Sequence, residues 1–202
     1  FRAEACDPSA SPVVSVVRRK GGNYRIEAPW LDEPIQVDTR VCAFSSIVVD
    51  VIYAWLEANP PLLCLHCAAV EFDGRLVVFP NTNQAGESSL AVRLMADGRV
   101  CHGDDLLALT PEGQGMSFGV PPRLRLPLPE SEKKLAEFVR AYGGPADKWN
   151  RYIASGIPSL APFGQSRPIG AFVMLERRAG GPAELVPADA ADSLRNMVYQ
   201  NL

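Results

Sequence analysis

The run Arg75-Leu76-Val77-Val78-Phe79-Pro80-Asn81-Thr82-Asn83-Gln84-Ala85-Gly86-Glu87-Ser88-Ser89-Leu90-Ala91 decides how this chain is read. It opens as an apolar strand, passes through a polar loop and turns helical over residues 90–95. A phosphate-binding loop needs this order. Backbone N–H groups at a helix start meet the phosphates, a lysine neutralises them, and a Ser or Thr hydroxyl binds Mg²⁺. Against the pattern G-x-x-x-x-G-K-[ST], Gly86 and Ser88 match in register, Asn81 replaces the first glycine and Glu87 replaces the lysine. Asn tolerates a left-handed backbone, so the first change is mild. The second reverses a charge where, at about 4 Å and an effective dielectric near 20, each unit-charge contact is worth roughly 4 kcal/mol. Taken alone, half a motif fits a polar turn capping a helix equally well.

Upstream, residues 62–71 and 75–79 read as two strands joined through Asp73-Gly74, a two-residue hairpin signal. Residues 13–17, 24–27 and 35–37 are short and β-prone, broken by Gly21-Gly22 and Pro34, and predict an antiparallel meander. From Ser46, the spacing of Ile47, Val48, Val51, Ile52 and Trp55 predicts an amphipathic helix, which Asn59-Pro60-Pro61 stops. Downstream, 100–102 and 106–109 read as strands around Gly103-Asp104-Asp105. Ser131 is expected to cap a helix with the stripe Leu135, Phe138, Val139 and Tyr142, ended by Gly143-Gly144-Pro145. Residues 144–170, rich in Gly, Pro and Ser, read as a mobile loop, and 171–175 and 184–186 as strands. The tail from Asp189 places Ala191, Leu194, Met197 and Val198 on one helical face. The expected division is a β-rich segment plus helix over 1–60, packed on an α/β core over 61–202 that ends in a helix.

Composition limits the function classes. A chain of 202 residues, 47% hydrophobic and 21% charged, fits one ordinary core-burying domain. A formal net charge of −3, with no basic cluster beyond Arg18-Arg19-Lys20, gives no footprint for nucleic acid. No apolar stretch is long enough to span a membrane. The cysteines Cys6, Cys42, Cys64, Cys67 and Cys101 are odd in number and mostly lie in apolar runs, which predicts buried thiols in a reducing cytoplasm. The N-terminus lacks the layout of a signal peptide, and a chain opening at Phe1 is expected to lack its true start.

The larger run Leu65-His66-Cys67-Ala68-Ala69-Val70, Asp73-Gly74 to Pro80, Gly86-Glu87-Ser88-Ser89-Leu90-Ala91 and Gly103-Asp104-Asp105-Leu106-Leu107-Ala108-Leu109 resembles the catalytic core of the HPr kinase/phosphorylase-like family. That family has a strand histidine, a hairpin into the phosphate loop, and an Asp-Asp pair beyond it. The similarity covers about residues 62–111, while the tail resembles the shorter HPr-kinase-related proteins. A second glycine-containing signature of true HPr kinases is not recognisable, which makes HPr itself a doubtful substrate. The resemblance implies the P-loop kinase fold of the HPr kinase C-terminal domain, a mixed α/β sheet with the small N-terminal meander. It implies ATP and Mg²⁺, with Asn81, Gly86, Glu87, Ser88 and Ser89 around the nucleotide. Ser88 and Asp105 would hold the metal, Asp104 would act as base, and His66 would face the phosphates. It also implies self-association, from the family's hexamers. Which aspartate takes which role stays open, since neighbouring residues at a strand end point in different directions. From the bare tripeptide Gly103-Asp104-Asp105 a solvated turn is the alternative, and for His66 a core histidine.

Other signals carry less. Cys64-Leu65-His66-Cys67 has no second cysteine pair, and on one strand Cys64 and Cys67 would point to opposite faces, which argues against a metal site. Arg123 and Arg125 alternate with leucines and read as a solvated strand face; Trp30, Trp55 and Trp149 read as packing residues. The expected function is transfer of the ATP γ-phosphoryl to a hydroxyl of a peptide, protein or small molecule, impaired by Glu87. The alternative is a non-catalytic module binding an anion or a partner in the same pocket. Glu87 fits a deliberate inactivating substitution, a natural pseudokinase, or an enzyme recruiting its cation elsewhere.

Overall fold

The computed structural model describes residues 14–80, 85–178 and 180–201, so Asn81 and Cys6 lie outside the described residues. In chain order the first elements are β1 (Ser15–Arg18), β2 (Tyr24–Glu27), β3 (Ile35–Val37), α1 (Arg40–Glu57), β4 (Leu63–Leu65), β5 (Cys67–Phe72) and β6 (Arg75–Pro80). Then come α2 (Glu87–Ala96), β7 (Val100–Gly103), β8 (Leu107–Leu109), β9 (Gln114–Met116) and β10 (Arg123–Arg125). The last are α3 (Lys133–Tyr142), β11 (Gly143–Ala146), β12 (Asn150–Ile153), β13 (Ser166–Phe172) and α4 (Ala190–Asn201). The fold is mixed α/β. Its main sheet has seven strands in the order β4-β8-β9-β13-β6-β5-β7, flanked by three-stranded sheets β1-β2-β3 and β10-β12-β11.

The hairpin of β5 and β6 lies between β13, the central strand of the main sheet, and the edge strand β7. Asp73 and Gly74 hold φ of 48° and 79°, the hand that a two-residue hairpin turn requires, and Phe72 pairs with Arg75 across it. Both faces of this hairpin are covered. Ala68, Val70 and Phe79 pack with Ala91, Val92 and Met95 of α2 and Leu135 and Val139 of α3. The alternate residues Cys67, Ala69, Leu76 and Val78 pack with Leu107 on the other side. A third cluster joins Val48, Ile52 and Leu56 of α1 to Leu106, Ala108 and Phe118. The period-2 split between faces explains why these strands read as continuous apolar runs rather than as alternating ones.

α2 is fixed at both ends. Gly86 at its N-cap holds φ 105°, a conformation that side chains rarely adopt. At the other end the Gly98 amide donates to the Met95 carbonyl (2.9 Å) and the Arg99 amide to the Leu94 carbonyl (2.9 Å), the paired bonds of a Schellman motif. A buried polar group also crosses the sheet: His102 on β7 bonds Glu71 on β5 (2.9 Å), and Glu71 pairs with Arg167 on β13 (3.1 Å). Burial pushes the His102 pKa down, so this histidine serves the sheet rather than solvent chemistry.

Several expectations are corrected. The strand over 62–71 is two strands, because the chain leaves its pairing with β8 at His66 and joins β6 and β7 from Cys67. The first helix starts at Arg40, where the Thr39 hydroxyl accepts from the Cys42 amide (3.1 Å), a cap that outweighs the β-prone residues after it. Glu132, with no side-chain cap bond, precedes α3, and Ser131 is not its cap. Residues 144–170 contain the ordered strands β11 and β12 and the start of β13. Residues 184–186 form no strand, and Leu185 is 88% exposed. Trp149 is exposed under Lys148, while Trp55 packs edge-on against Phe118 and Phe163. Cys42, Cys64, Cys67 and Cys101 are free thiols, and burial raises the pKa of Cys64 to about 11. No helix among the described residues is long and apolar enough to cross a membrane.

Gly103 closes β7 immediately before the acidic pair, and a Cβ there would lie 2.6 Å from the Leu106 carbonyl oxygen. Gly103→Ala is expected to destabilise the protein by about 1–3 kcal/mol, since a backbone atom must move. Urea titration should show a lowered midpoint at unchanged slope; an unchanged midpoint would mean the Asp104-Asp105 turn is not pinned this way.

Candidate functional site

The turn after β7 gives the two aspartates different surroundings. Asp105 holds φ 70°, and its carbonyl accepts from the Cys67 amide (3.3 Å), so the turn is tied to the start of β5. The consequence is that Asp104 points inward, 4% exposed, while the Asp105 side chain stays 46% exposed.

Asp104 lies against the start of α2. Its Oδ2 accepts from the Arg123 amide (3.0 Å), and its Oδ1 is buried with no hydrogen-bond partner among the described residues. Ser88, in the first turn of α2, presents its hydroxyl toward this carboxyl, near enough to favour the charged form without completing a bond to Oδ1. Burial and then the charge of Asp105 outweigh Ser88 and Arg123, and push the Asp104 pKa up to about 7. Asp105 behaves oppositely. The neighbouring His66 ring, helped by the Arg123 charge, overcomes burial and holds its carboxyl below the usual range. His66 Nε2 and Arg123 Nη2 each stand 3.8 Å from an Asp105 oxygen. The His66 pKa is raised in return, by Asp105 first, with Asp104 and Glu87 adding to it against burial.

The loop itself is closed by the residue that replaces the lysine. Glu87 is 9% exposed, and its Oε2 accepts from the Gly86 amide at 3.0 Å. A carboxylate therefore occupies a backbone donor at the start of α2. Ser89, one residue beyond Ser88, is exposed on α2. The structure thus brings Gly86, Glu87, Ser88, Asp104, Asp105 and His66 to one region and turns Ser89 outward.

Two arginines join that region. Arg123, expected on a solvated face, donates its amide to Asp104, approaches Asp105, and donates Nη1 to the Ser45 hydroxyl of α1 (3.0 Å). Tyr152 of β12 stands beside the same serine. Arg177 donates Nε to the Ala85 carbonyl (3.0 Å) at the edge of the loop. Neither contact leaves a local signal in the sequence, because each depends on which strands become neighbours. Two apolar cavities of about 520 and 620 Å³ lie elsewhere, along α1, and share Val51, Gly119 and Ser155. Their linings offer little to an anion, so the polar cluster, not cavity size, marks the site.

No group of three or more His, Cys, Asp or Glu side chains among the described residues could hold a metal ion unaided. One carboxylate with a hydroxyl beside it is instead the kind of set that holds Mg²⁺ together with substrate phosphates. The partnerless Oδ1 of Asp104 beside Ser88 fits that use.

A pKa raised on folding means that the folded protein keeps a proton the unfolded chain releases. Asp104 therefore favours the fold fully below its ordinary pKa of 3.8 and loses that contribution as pH rises to about 7. Asp104→Asn is expected to gain stability over the parent with rising pH, by on the order of 3 kcal/mol more at pH 8 than at pH 5. Urea titrations at both pH values test this, and an equal effect at both would contradict a charged, buried carboxylate at position 104.

No family model, curated protein or solved structure matches this chain.

Proposed function

We propose that this chain is a kinase-related protein of the HPr kinase/phosphorylase-like type, which binds a nucleoside triphosphate at the start of α2 and is impaired for phosphoryl transfer by Glu87. The observation that carries the proposal is the buried, partnerless Asp104 Oδ1 beside the Ser88 hydroxyl, at the head of a helix that follows a strand and a polar loop.

In this reading Ser88 and Asp104 would hold Mg²⁺, which when bound offsets the charge of the β- and γ-phosphates. The α2 amides and helix dipole bind the phosphates, the dipole supplying about half a unit of positive charge. Asp105, the more exposed of the pair, takes the proton of the acceptor hydroxyl. That oxygen bonds to the γ-phosphorus as the bond from phosphorus to the β–γ bridging oxygen breaks, and the nucleoside diphosphate leaves with the electron pair. His66 and Arg123 hold the Asp105 carboxylate from two sides. The geometry thus favours exchanging the roles that the resemblance implies for the two aspartates, because Asp104, not Asp105, neighbours Ser88.

The second reading, a non-catalytic anion- or partner-binding module, is favoured by the Glu87–Gly86 contact, which seals the loop with an internal carboxylate. Glu87→Lys separates the two. It is expected to raise Mg-ATP affinity at least tenfold, about 1.4 kcal/mol, by calorimetric titration at fixed ionic strength. If the machinery is otherwise intact, the same variant releases ADP from ATP, and the further change Asp105→Asn abolishes turnover with affinity kept. Equal affinities for parent and Glu87→Lys would mean that position 87 does not face phosphate. Raised affinity without turnover would select the binding module.

A further inference from the structure

We propose that Arg177 supplies the positive charge of this loop, holding the terminal phosphates of a nucleoside triphosphate across the Gly86 backbone in place of the absent lysine. The inference rests on the phosphate-binding reading of α2 and names the cation that reading lacks.

β6 leads into the loop, and β13 is the strand that runs parallel beside it, with Ile169, Ala171 and Phe172 paired to Leu76, Val77 and Val78. Parallel neighbours end at the same edge, so the segments leaving them emerge side by side; ligands of α/β sheets bind outside such strand ends. The Val173 amide still donates to the Val78 carbonyl (2.8 Å), which keeps the β13 exit alongside β6. Arg177 follows shortly after, and Ala85 and Gly86 follow β6.

The guanidinium then engages the loop backbone. Its Nε donates to the Ala85 carbonyl at 3.0 Å, and its Nη2 lies 2.9 Å from where a Cβ on residue 86 would stand. The space that glycine leaves at the loop is therefore the space into which this cation fits. Gly86 is demanded by its φ of 105°, and the Arg177 guanidinium rests in the space its missing Cβ leaves. Use of Nε on the carbonyl fixes the orientation of the planar fork, and Nη groups on a fork are suited to two oxygens of one phosphate. The side chain is exposed, as a group that meets an entering ligand must be. Asp104 Oδ1, buried and without a partner among the described residues beside Ser88, is the independent sign that something more than the helix end belongs here.

Arg177 is not required for the hydrogen bonds within α2, so its loss should act on ligand rather than on fold. The test is calorimetric titration of the full chain and of Arg177→Gln, Arg177→Lys, Glu87→Lys and Glu87→Lys/Arg177→Gln. The probes are Mg-ATP, Mg-ADP, pyrophosphate and inorganic phosphate at fixed ionic strength, with the thermal midpoint of each empty protein as a folding control. Arg177→Gln is expected to lower Mg-ATP affinity at least tenfold, in the parent or, if parent binding is too weak to read, in the Glu87→Lys background. Arg177→Lys should retain most of the affinity. A larger loss for ATP than for ADP assigns Arg177 to the γ-phosphate, and a loss shared with pyrophosphate assigns it to polyphosphate in general; both uphold the proposal. Unchanged affinity on Arg177→Gln, with Glu87→Lys still binding, overturns the Arg177 assignment and leaves the phosphate loop standing. Absence of binding by the parent and by Glu87→Lys to every probe overturns both.

Discussion

The parallel pairing of β13 with β6 is the constraint on which the arrangement turns, because the other pairings in the main sheet are antiparallel. Antiparallel neighbours exchange ends, so their exits part; a parallel pair delivers two chain segments to one edge. Here one exit carries Ala85, Gly86 and the head of α2, and the other carries Arg177. α2 is held over that edge by apolar packing of Ala91, Val92 and Met95 on β5 and by its Schellman end. β6 is covered on both faces and anchors this edge, whereas Gly170, Ala171 and Phe172 at the end of β13 are exposed.

The charges gathered there are poorly balanced in the empty protein. Asp105 stands near His66 and Arg123, Arg177 bonds the Ala85 carbonyl, and Glu87 bonds the Gly86 amide, so these groups serve Asp105 and the loop more than Asp104. Asp104 receives one backbone amide and is left with an oxygen out of water, which is why its proton is retained to about pH 7. A carboxyl held in that state costs folding stability above neutrality, and perturbed acids of this kind gather at functional sites. By contrast, Glu71 bonds His102 Nε2 and pairs with Arg167, and these polar contacts join strands.

Glu87 changes what the loop does by itself. A lysine there would repel the helix-end amides and draw in an anion; glutamate bonds the Gly86 amide and satisfies one of the donors that helix starts leave open. In the phosphate-binding reading proposed above, the same contact would compete with phosphate. Loop closure and ligand affinity are therefore opposed at one residue, and the balance depends on what cation stands across the loop.

The sequence by itself determined the hairpin at Asp73-Gly74, the helix after Gly86 and the strands around Gly103-Asp104-Asp105. Each rests on a local cause: positive φ at Asp73 and Gly74, a glycine N-cap, apolar runs bounded by turn residues. It also singled out Ser88 and the acidic pair, which the structure places at one end of the core. Only the tertiary structure decided which aspartate faces Ser88, since that depends on a left-handed Asp105 tied to Cys67. Arg123 was misread for the same reason: alternation along residues 123–125 describes a strand but not the α1 serine and β7 turn that dock on it. Residues 144–170 looked like loop because Gly, Pro and Ser dominate, yet β12 is ordered by its pairing on both sides with β10 and β11. Arg177 lies 92 residues from its partner Ala85, and no periodicity or spacing links them. Contacts made by neighbouring strands are fixed by sheet order, and sheet order is settled by the whole core at once.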